Sequence, residues 1–256
     1  MSAGRDEPDT GSNEPAVSVK GLTKSFGEQR VLNGINLDVS KGEILAVLGR
    51  SGTGKSVLLK LLIGLEQPDA GSIRIEGQEI AGLTGKPLSE IRKKMGFLFQ
   101  QAALYDSLTV QDNVTFPLNR HTTLNEQERK NRAHELLESV GMTDHLEKLP
   151  SEISGGMQKR VGLARALALD PAVVLLDEPT AGLDPITGAE IGELISQLQK
   201  QRRMTSIVVT HDIHGARQFA DRLVMVNDGN VVIEGTFADL AKSSDPFVIQ
   251  FMKNAA

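Results

Sequence analysis

Val17, Val19 and Leu22 alternate with polar residues, and the alternation resumes from Val31 to Val39 before Ser40-Lys41-Gly42 turns the chain. A period of two predicts half-buried strands. Glu43 to Leu48 is nearly all apolar and ends at glycines, the composition of a strand covered on both faces in a parallel sheet. The helix formers of Lys55 to Ile63 follow and stop at Gly64, where a left-handed cap residue is expected. The unit reads as strand, glycine loop, helix.

Ser72 to Glu76 alternates again, and Met95 to Phe99 is a second candidate for a buried strand. From about residue 100 to 169 the pattern turns helical. Asn125 with Glu128 resembles a capping box, and Ala133, Leu136, Leu137 and Val140 form one apolar stripe. Val173 to Asp177 then leads into a stripe of Ile191, Leu194, Ile195 and Leu198, and Ser206 to Thr210 into a short helix near Ala216. Such alternation of strand and helix predicts an α/β fold around a parallel sheet. Arg222 to Asn227 and Asn230 to Glu234, joined by Asp228-Gly229, read as a hairpin. Ser244-Asp245-Pro246 is a helix start, and the stripe Phe247, Val248, Phe251, Met252 is expected to pack on its own domain rather than on a partner.

Composition narrows the function. Counting glycine with the 39% hydrophobic residues gives about 49% apolar, the usual globular range. A net charge of −5, eight Phe, one Tyr and no Trp provide neither a basic footprint nor a base-stacking platform, so nucleic acid is not expected as a partner. The absence of cysteine excludes disulfides, thiolate metal sites and thiol catalysis. Residues 1–16, acidic and without an apolar run, read as a disordered leader and not a signal peptide. No stretch approaches the ~18 apolar residues of a membrane span.

Three segments carry chemistry. Gly49, Arg50, Ser51, Gly52, Thr53, Gly54, Lys55 and Ser56 fit the phosphate loop G-x-x-x-x-G-K-[ST], in which backbone N–H groups and the following helix N-terminus cradle a polyphosphate. Lys55 would reach the terminal phosphates and Ser56 a magnesium ion. Val173 to Asp177 is an apolar strand ending in the pair Asp177-Glu178. Neighbouring strand residues point to opposite faces, so the two carboxylates divide the work: Asp177 for the metal, Glu178 as the base that orients a water. Ser154, Gly155 and Gly156 place a hydroxyl and two glycines at a helix start, a second anion site.

With the serine 23 residues ahead of Asp177, this constellation resembles the nucleotide-binding subunits of ABC transporters over about residues 17–240. The resemblance implies a P-loop NTPase with a RecA-like parallel core, an antiparallel β subdomain, an α-helical subdomain inserted at about 100–169, and a helical tail at 241–256. It implies ATP and Mg2+ as cofactors. It also implies roles for further residues: Gln100 touching magnesium and reporting nucleotide state, Asp184 of Ala181-Gly182-Leu183-Asp184 meeting the opposite protomer, His211 on the γ-phosphate, and Phe26 stacking on adenine. Each has a structural alternative: a strand-end glutamine, an N-cap before Pro185, a structural histidine, and a core or surface Phe. Two copies are expected head to tail, with Ser154 and Gly155 of one closing over ATP on Lys55 of the other.

Val57, Met157 and the stretch Gln101 to Leu118 resemble, more narrowly, the lipid-trafficking group associated with MCE-domain proteins and maintenance of lipid asymmetry. That likeness implies a membrane-spanning permease, an MCE-domain protein and a small STAS-domain protein as partners, at the cytoplasmic face of the inner membrane. An ATPase energising an amino acid, lipoprotein or drug transporter, and a non-transport scaffold ATPase, are the alternatives.

Overall fold

The computed structural model describes residues 14–253. In chain order the elements are β1 (Val17–Phe26), β2 (Gln29–Val39), β3 (Ile44–Leu48), α1 (Lys55–Leu62), β4 (Ala70–Ile75), β5 (Gln78–Glu79), α2 (Gly85–Arg92), β6 (Met95–Leu98), α3 (Val110–His121), α4 (Glu126–Ser139) and α5 (Gly155–Ala166). They continue with β7 (Val173–Asp177), α6 (Pro185–Arg202), β8 (Thr205–Thr210), α7 (Ile213–Phe219), β9 (Arg222–Asn227), β10 (Asn230–Gly235), α8 (Phe237–Ala241) and α9 (Pro246–Lys253).

Two sheets divide these strands. One is antiparallel, in the order β2-β1-β4-β5, and the other runs β10-β9-β3-β8-β7-β6 with every pairing parallel except the β9-β10 hairpin. The near-continuous apolar run of β3 has its reason here. Leu45 and Val47 face α1 and the antiparallel sheet, whereas Ile44, Ala46 and Leu48 face the core shared with α3 to α7. The strand is buried at every position because both its faces are covered.

Local signals place several boundaries. Asn125 Oδ1 accepts from the Glu128 N–H at 3.0 Å while Glu128 Oε2 accepts from the Asn125 N–H at 2.7 Å, so α4 opens on a reciprocal capping box. Asp228 and Gly229 both take positive φ, 46° and 74°, the requirement of the tight hairpin turn joining β9 to β10. Val248 of α9 is fully buried, with Phe247, Phe251 and Met252 packed against the same core. Helices α3 to α5 lie between β6 and β7 in the chain. The period-based reading has no counterpart for α2 or α8, whose buried positions are only Leu88 and Ile91, and Leu240.

The leader expected over residues 1–16 lies outside the described residues up to 13. Its last residue differs from that reading: Ala16 is buried, and its carbonyl accepts from the Glu76 N–H at 2.8 Å. This backbone bond and the burial of the Ala16 methyl tie it to the core just ahead of β1.

Candidate active site

The carboxyl ends of β3, β7 and β8 converge, and the loops that leave them carry the candidate chemistry. Ligands of open α/β sheets bind at this edge, where strand order brings loop backbones and helix N-termini together. The loop from Gly49 to Gly54 passes from β3 into α1. It needs glycine at position 54, where φ is 93° and a Cβ would stand 2.8 Å from Leu32 Cδ2 and 2.9 Å from the Val31 carbonyl oxygen.

Lys55, only 6% exposed, donates from Nζ to the carbonyls of Gly49 and Arg50 at 2.8 and 2.9 Å. Burial lowers its pKa, and the facing carboxylates of Glu178 and Asp177 oppose that shift. Ser56 Oγ donates to Asp177 Oδ1 at 2.9 Å, joining two sequence candidates that lie far apart in the chain. The Asp177 pKa is raised, chiefly by burial, with the Ser56 hydrogen bond acting against it.

Glu178 parts from Asp177 by a different route from strand alternation. Its φ is 46°, a left-handed conformation unusual for a residue with a Cβ, and its N–H donates to the Val209 carbonyl at 2.8 Å. The turn delivers its carboxylate to His211, whose Nδ1 lies 3.0 and 2.9 Å from the two carboxylate oxygens. His211 follows directly on β8 and its side chain is 58% exposed, so the pair sits at the solvent edge of the site.

The other candidates are placed less centrally. The Gln100 side chain is exposed, and the residue meets the site through its backbone carbonyl, which accepts from Lys159 Nζ. Phe26, half-exposed, lies beneath Lys24 Nζ at 5.1 Å from its ring centroid. Beside the phosphate loop lies a surface cavity of about 600 Å3 bordered by Arg50, Thr53, Arg30, Gly229, Phe247 and Gln250; Phe26 is not part of its wall. Arg50 turns its guanidinium to α9, donating to Gln250 Oε1 at 2.7 Å and lying over the Phe247 ring. Ser51 and Gly52 form the exposed rim of the loop, and the half-buried Thr53 donates from Oγ1 to the Arg50 carbonyl at 2.8 Å.

Ser154 caps α5, its Oγ accepting from the Met157 N–H at 3.3 Å, and it is exposed together with Gly155. Gly156 is buried, and a Cβ there would lie 2.6 Å from Thr187 Cγ2 of α6. Its glycine is therefore required by helix packing, whatever else the segment binds. Asp184 caps α6, accepting from the N–H groups of Ile186 and Thr187 at 3.1 Å each and from Thr187 Oγ1 at 2.6 Å. These bonds, led by the Thr187 hydroxyl, hold its pKa below the ordinary value.

Two residues of this region escape motif reading. Lys159 of α5, 5% exposed, donates to the Gln100 carbonyl and to the Glu178 carbonyl at 3.0 Å. Asn113 of α3 is fully buried and binds the loop after β6: its Oδ1 accepts from the Tyr105 N–H at 2.8 Å while its Nδ2 donates to the Tyr105, Leu108 and Thr109 carbonyls. A buried polar residue inside an apolar helix face is the sequence signal each of them carried. Among the described residues no group of three or more His, Asp or Glu side chains converges as a metal site, and no helix is long and apolar enough to cross a membrane.

The profile of the ABC transporter family matches residues 32–181. The chain is 42% identical over 94% of its length, and 91% of the relative's, to the Intermembrane phospholipid transport system ATP-binding protein MlaF of Haemophilus influenzae. It is 46% identical over 93% of its length to the "Probable ribonucleotide transport ATP-binding protein mkl" of Mycobacterium leprae, of which it spans 68%. A solved dimeric post-hydrolysis structure of the ATP-binding cassette MJ0796, bound to ADP and Pi, superposes with a TM-score of 0.79 at 37% identity, covering 86% of this chain and 98% of that one. The phosphate loop, the Ser56–Asp177 bridge and the Glu178–His211 pair lie together on one sheet edge, and by these likenesses the chain belongs to the ABC transporter family, as an ATP-binding and ATP-hydrolysing subunit.

Proposed function

We propose that the chain energises phospholipid movement between membranes as the ATPase of a lipid-trafficking ABC transporter. The observation that carries the chemistry is the pairing of Glu178 with His211 beside the Ser56–Asp177 bridge. In this reading Gly49 to Ser56 receives the phosphates of ATP, with Lys55 turning its ammonium to the terminal ones and Phe26 meeting the adenine. Glu178 accepts a proton from the attacking water as its oxygen bonds to the γ-phosphorus and the bond to the β-phosphate oxygen breaks. His211 holds the Glu178 carboxylate and contacts the γ-phosphoryl group. Ser154, Gly155 and Gly156 of a second copy, with Asp184 beside them, cover the nucleotide from the other side; the dimeric state of the MJ0796 cassette supports this arrangement.

The donor set also suits Mg2+. Ser56 Oγ and Asp177 Oδ1 are hard oxygen donors 2.9 Å apart, and so sparse a pair fits an ion that keeps waters and phosphate oxygens in its shell; Gln100, whose side chain is exposed in this structure, would have to turn inward to add its amide oxygen. When bound, the ion neutralises charge developing on the β- and γ-phosphoryl oxygens.

The cargo rests on the likeness to the Haemophilus phospholipid protein over nearly the whole of both chains. The corresponding partners are a membrane-spanning permease, an MCE-domain protein and a STAS-domain protein, with the ATPase peripheral on the cytoplasmic face of the inner membrane. The mycobacterial relative, named for ribonucleotide transport, supports a second reading in which the same ATPase drives another cargo. Purifying the tagged chain from solubilised membranes of its host and identifying co-purifying proteins and lipids separates the two. A permease with an MCE-domain protein and phospholipid is expected; a permease without lipid or MCE protein overturns the lipid cargo and leaves the ATPase.

A further inference from the structure

Glu178 holds a left-handed backbone conformation, which a residue other than glycine keeps only where its surroundings enforce it. Three contacts to residues distant in the chain enforce this one. Its N–H is tied to Val209 of β8, its carboxylate to His211, and its carbonyl to Lys159 Nζ at 3.0 Å. Two of the three partners come from β8 or the residue after it. The third comes from a different part of the molecule, the helix that begins at Ser154.

Lys159 is placed five residues beyond that serine, about 7 Å along the axis at 1.5 Å per residue. The exposed start of α5 faces outward, whereas Lys159 is buried. Its Nζ also donates to the carbonyl of Gln100, on the loop after β6. A single ammonium thus joins the helix, the Gln100 loop and the turn that aims Glu178. Among the described residues the Gln100 carbonyl has no other donor, whereas the Glu178 carbonyl also accepts from the Ala181 N–H of its own turn at 3.2 Å, so Lys159 is its tie to a distant element.

We infer that Lys159 is a positioning residue for hydrolysis: it fixes the backbone of Glu178 to the helix that begins at Ser154, so that the seating of that helix and the aim of the base move together. This rests on the reading of Glu178 as the base. A chain in which the helix that begins at Ser154 is displaced would lose the Lys159 donor at the Glu178 carbonyl, leaving only the Ala181 N–H of the same turn, and the carboxylate would lose its aim without any change at the phosphate loop. The lysine therefore acts on turnover and not on nucleotide affinity.

The test compares wild type, K159M and K159Q as full chains, measuring kcat for ATP and the Kd for a fluorescent ATP analogue, with melting curves to verify folding. Methionine keeps the length and removes the donors; glutamine restores two N–H groups without the charge. The expected result is a fall in kcat of roughly 10–100-fold for K159M, the scale of a misplaced catalytic group, with Kd unchanged within about twofold. K159Q should recover to within about fivefold of wild type. The double variant E178Q/K159M should form an ATP-dependent dimer as readily as E178Q. Unchanged kcat in K159M, or a loss of kcat matched by loss of affinity and of dimer formation, overturns the inference. If K159M does not fold, folded but inactive K159Q overturns it, and active K159Q supports it. Should E178Q itself hydrolyse ATP at the wild-type rate, the reading of Glu178 fails first, and that outcome is distinct from any behaviour of Lys159.

Discussion

Gly156→Ala tests the tightest helix contact of the site. The added Cβ would stand 2.6 Å from Thr187 Cγ2, whereas two carbons settle at about 3.5–4.0 Å, so α5 and α6 must part by about 1 Å or the threonine must leave its rotamer. Overpacking of this kind costs about 1–3 kcal/mol. Alanine recovers roughly 0.5–1 kcal/mol over glycine in a helix, leaving a net loss of roughly 0.5–2 kcal/mol. For a chain of this size that lowers the melting midpoint by about 1–8 °C at ~2–4 °C per kcal/mol. Thr187→Ser removes the offending methyl while keeping the hydroxyl that donates to Asp184 Oδ2 at 2.6 Å. The double variant should therefore regain most of the midpoint, with a coupling of about 1 kcal/mol in the cycle. Circular dichroism melts of the four proteins measure this, with ATP hydrolysis followed in parallel. Alanine retains the backbone N–H, so activity should return with stability. Gly156→Ala melting at or above wild type, or no recovery in the double variant, refutes the packing argument.

Glu178→Gln should bind ATP with wild-type affinity and turn it over at least about 100-fold more slowly, the scale of a general base, as measured by phosphate release; near-normal hydrolysis removes Glu178 from that role. Asp177→Asn should lose hydrolysis yet melt higher than wild type at neutral pH without nucleotide. The pKa of Asp177 is raised by burial, so its ionised form weakens the fold above the folded pKa, and this cost disappears as pH falls below the ordinary aspartate value. The gain in Asp177→Asn should accordingly shrink toward about pH 4; a gain that grows on acidification contradicts the sign. Asn113→Ala should cost about 2 kcal/mol, or roughly 4–8 °C, because the Tyr105 N–H and the Leu108 carbonyl lose the amide that pairs them while the Tyr105 and Thr109 carbonyls keep only a backbone donor; an unchanged melt would show that water replaces the amide.

Much of this protein was legible along the chain because its signals are local. The two-residue period of β1 and β2, the capping box of α4, the turn at Asp228-Gly229 and the spacing from Gly49 to Ser56 each involve neighbours in sequence, whose geometry the backbone itself dictates. The apolar run of β3 announced two covered faces, but what covers them follows from the strand order β9-β3-β8, which no period encodes. The site shows the same division. Residue types and spacing named Lys55, Ser56, Asp177, Glu178 and His211, while the Ser56–Asp177 bridge spans 121 positions and the Glu178–His211 contact 33. Ala16 counted as leader by composition and is core by burial; Gly156 counted as an anion-site glycine and also makes room for Thr187. Lys159 had no motif to reveal it, since its partners are the backbone carbonyls of residues 100 and 178, groups every residue possesses. Periodicity assigns a side chain to a face, but which distant backbone meets that face is decided only when the sheet orders its strands and the helices pack across it.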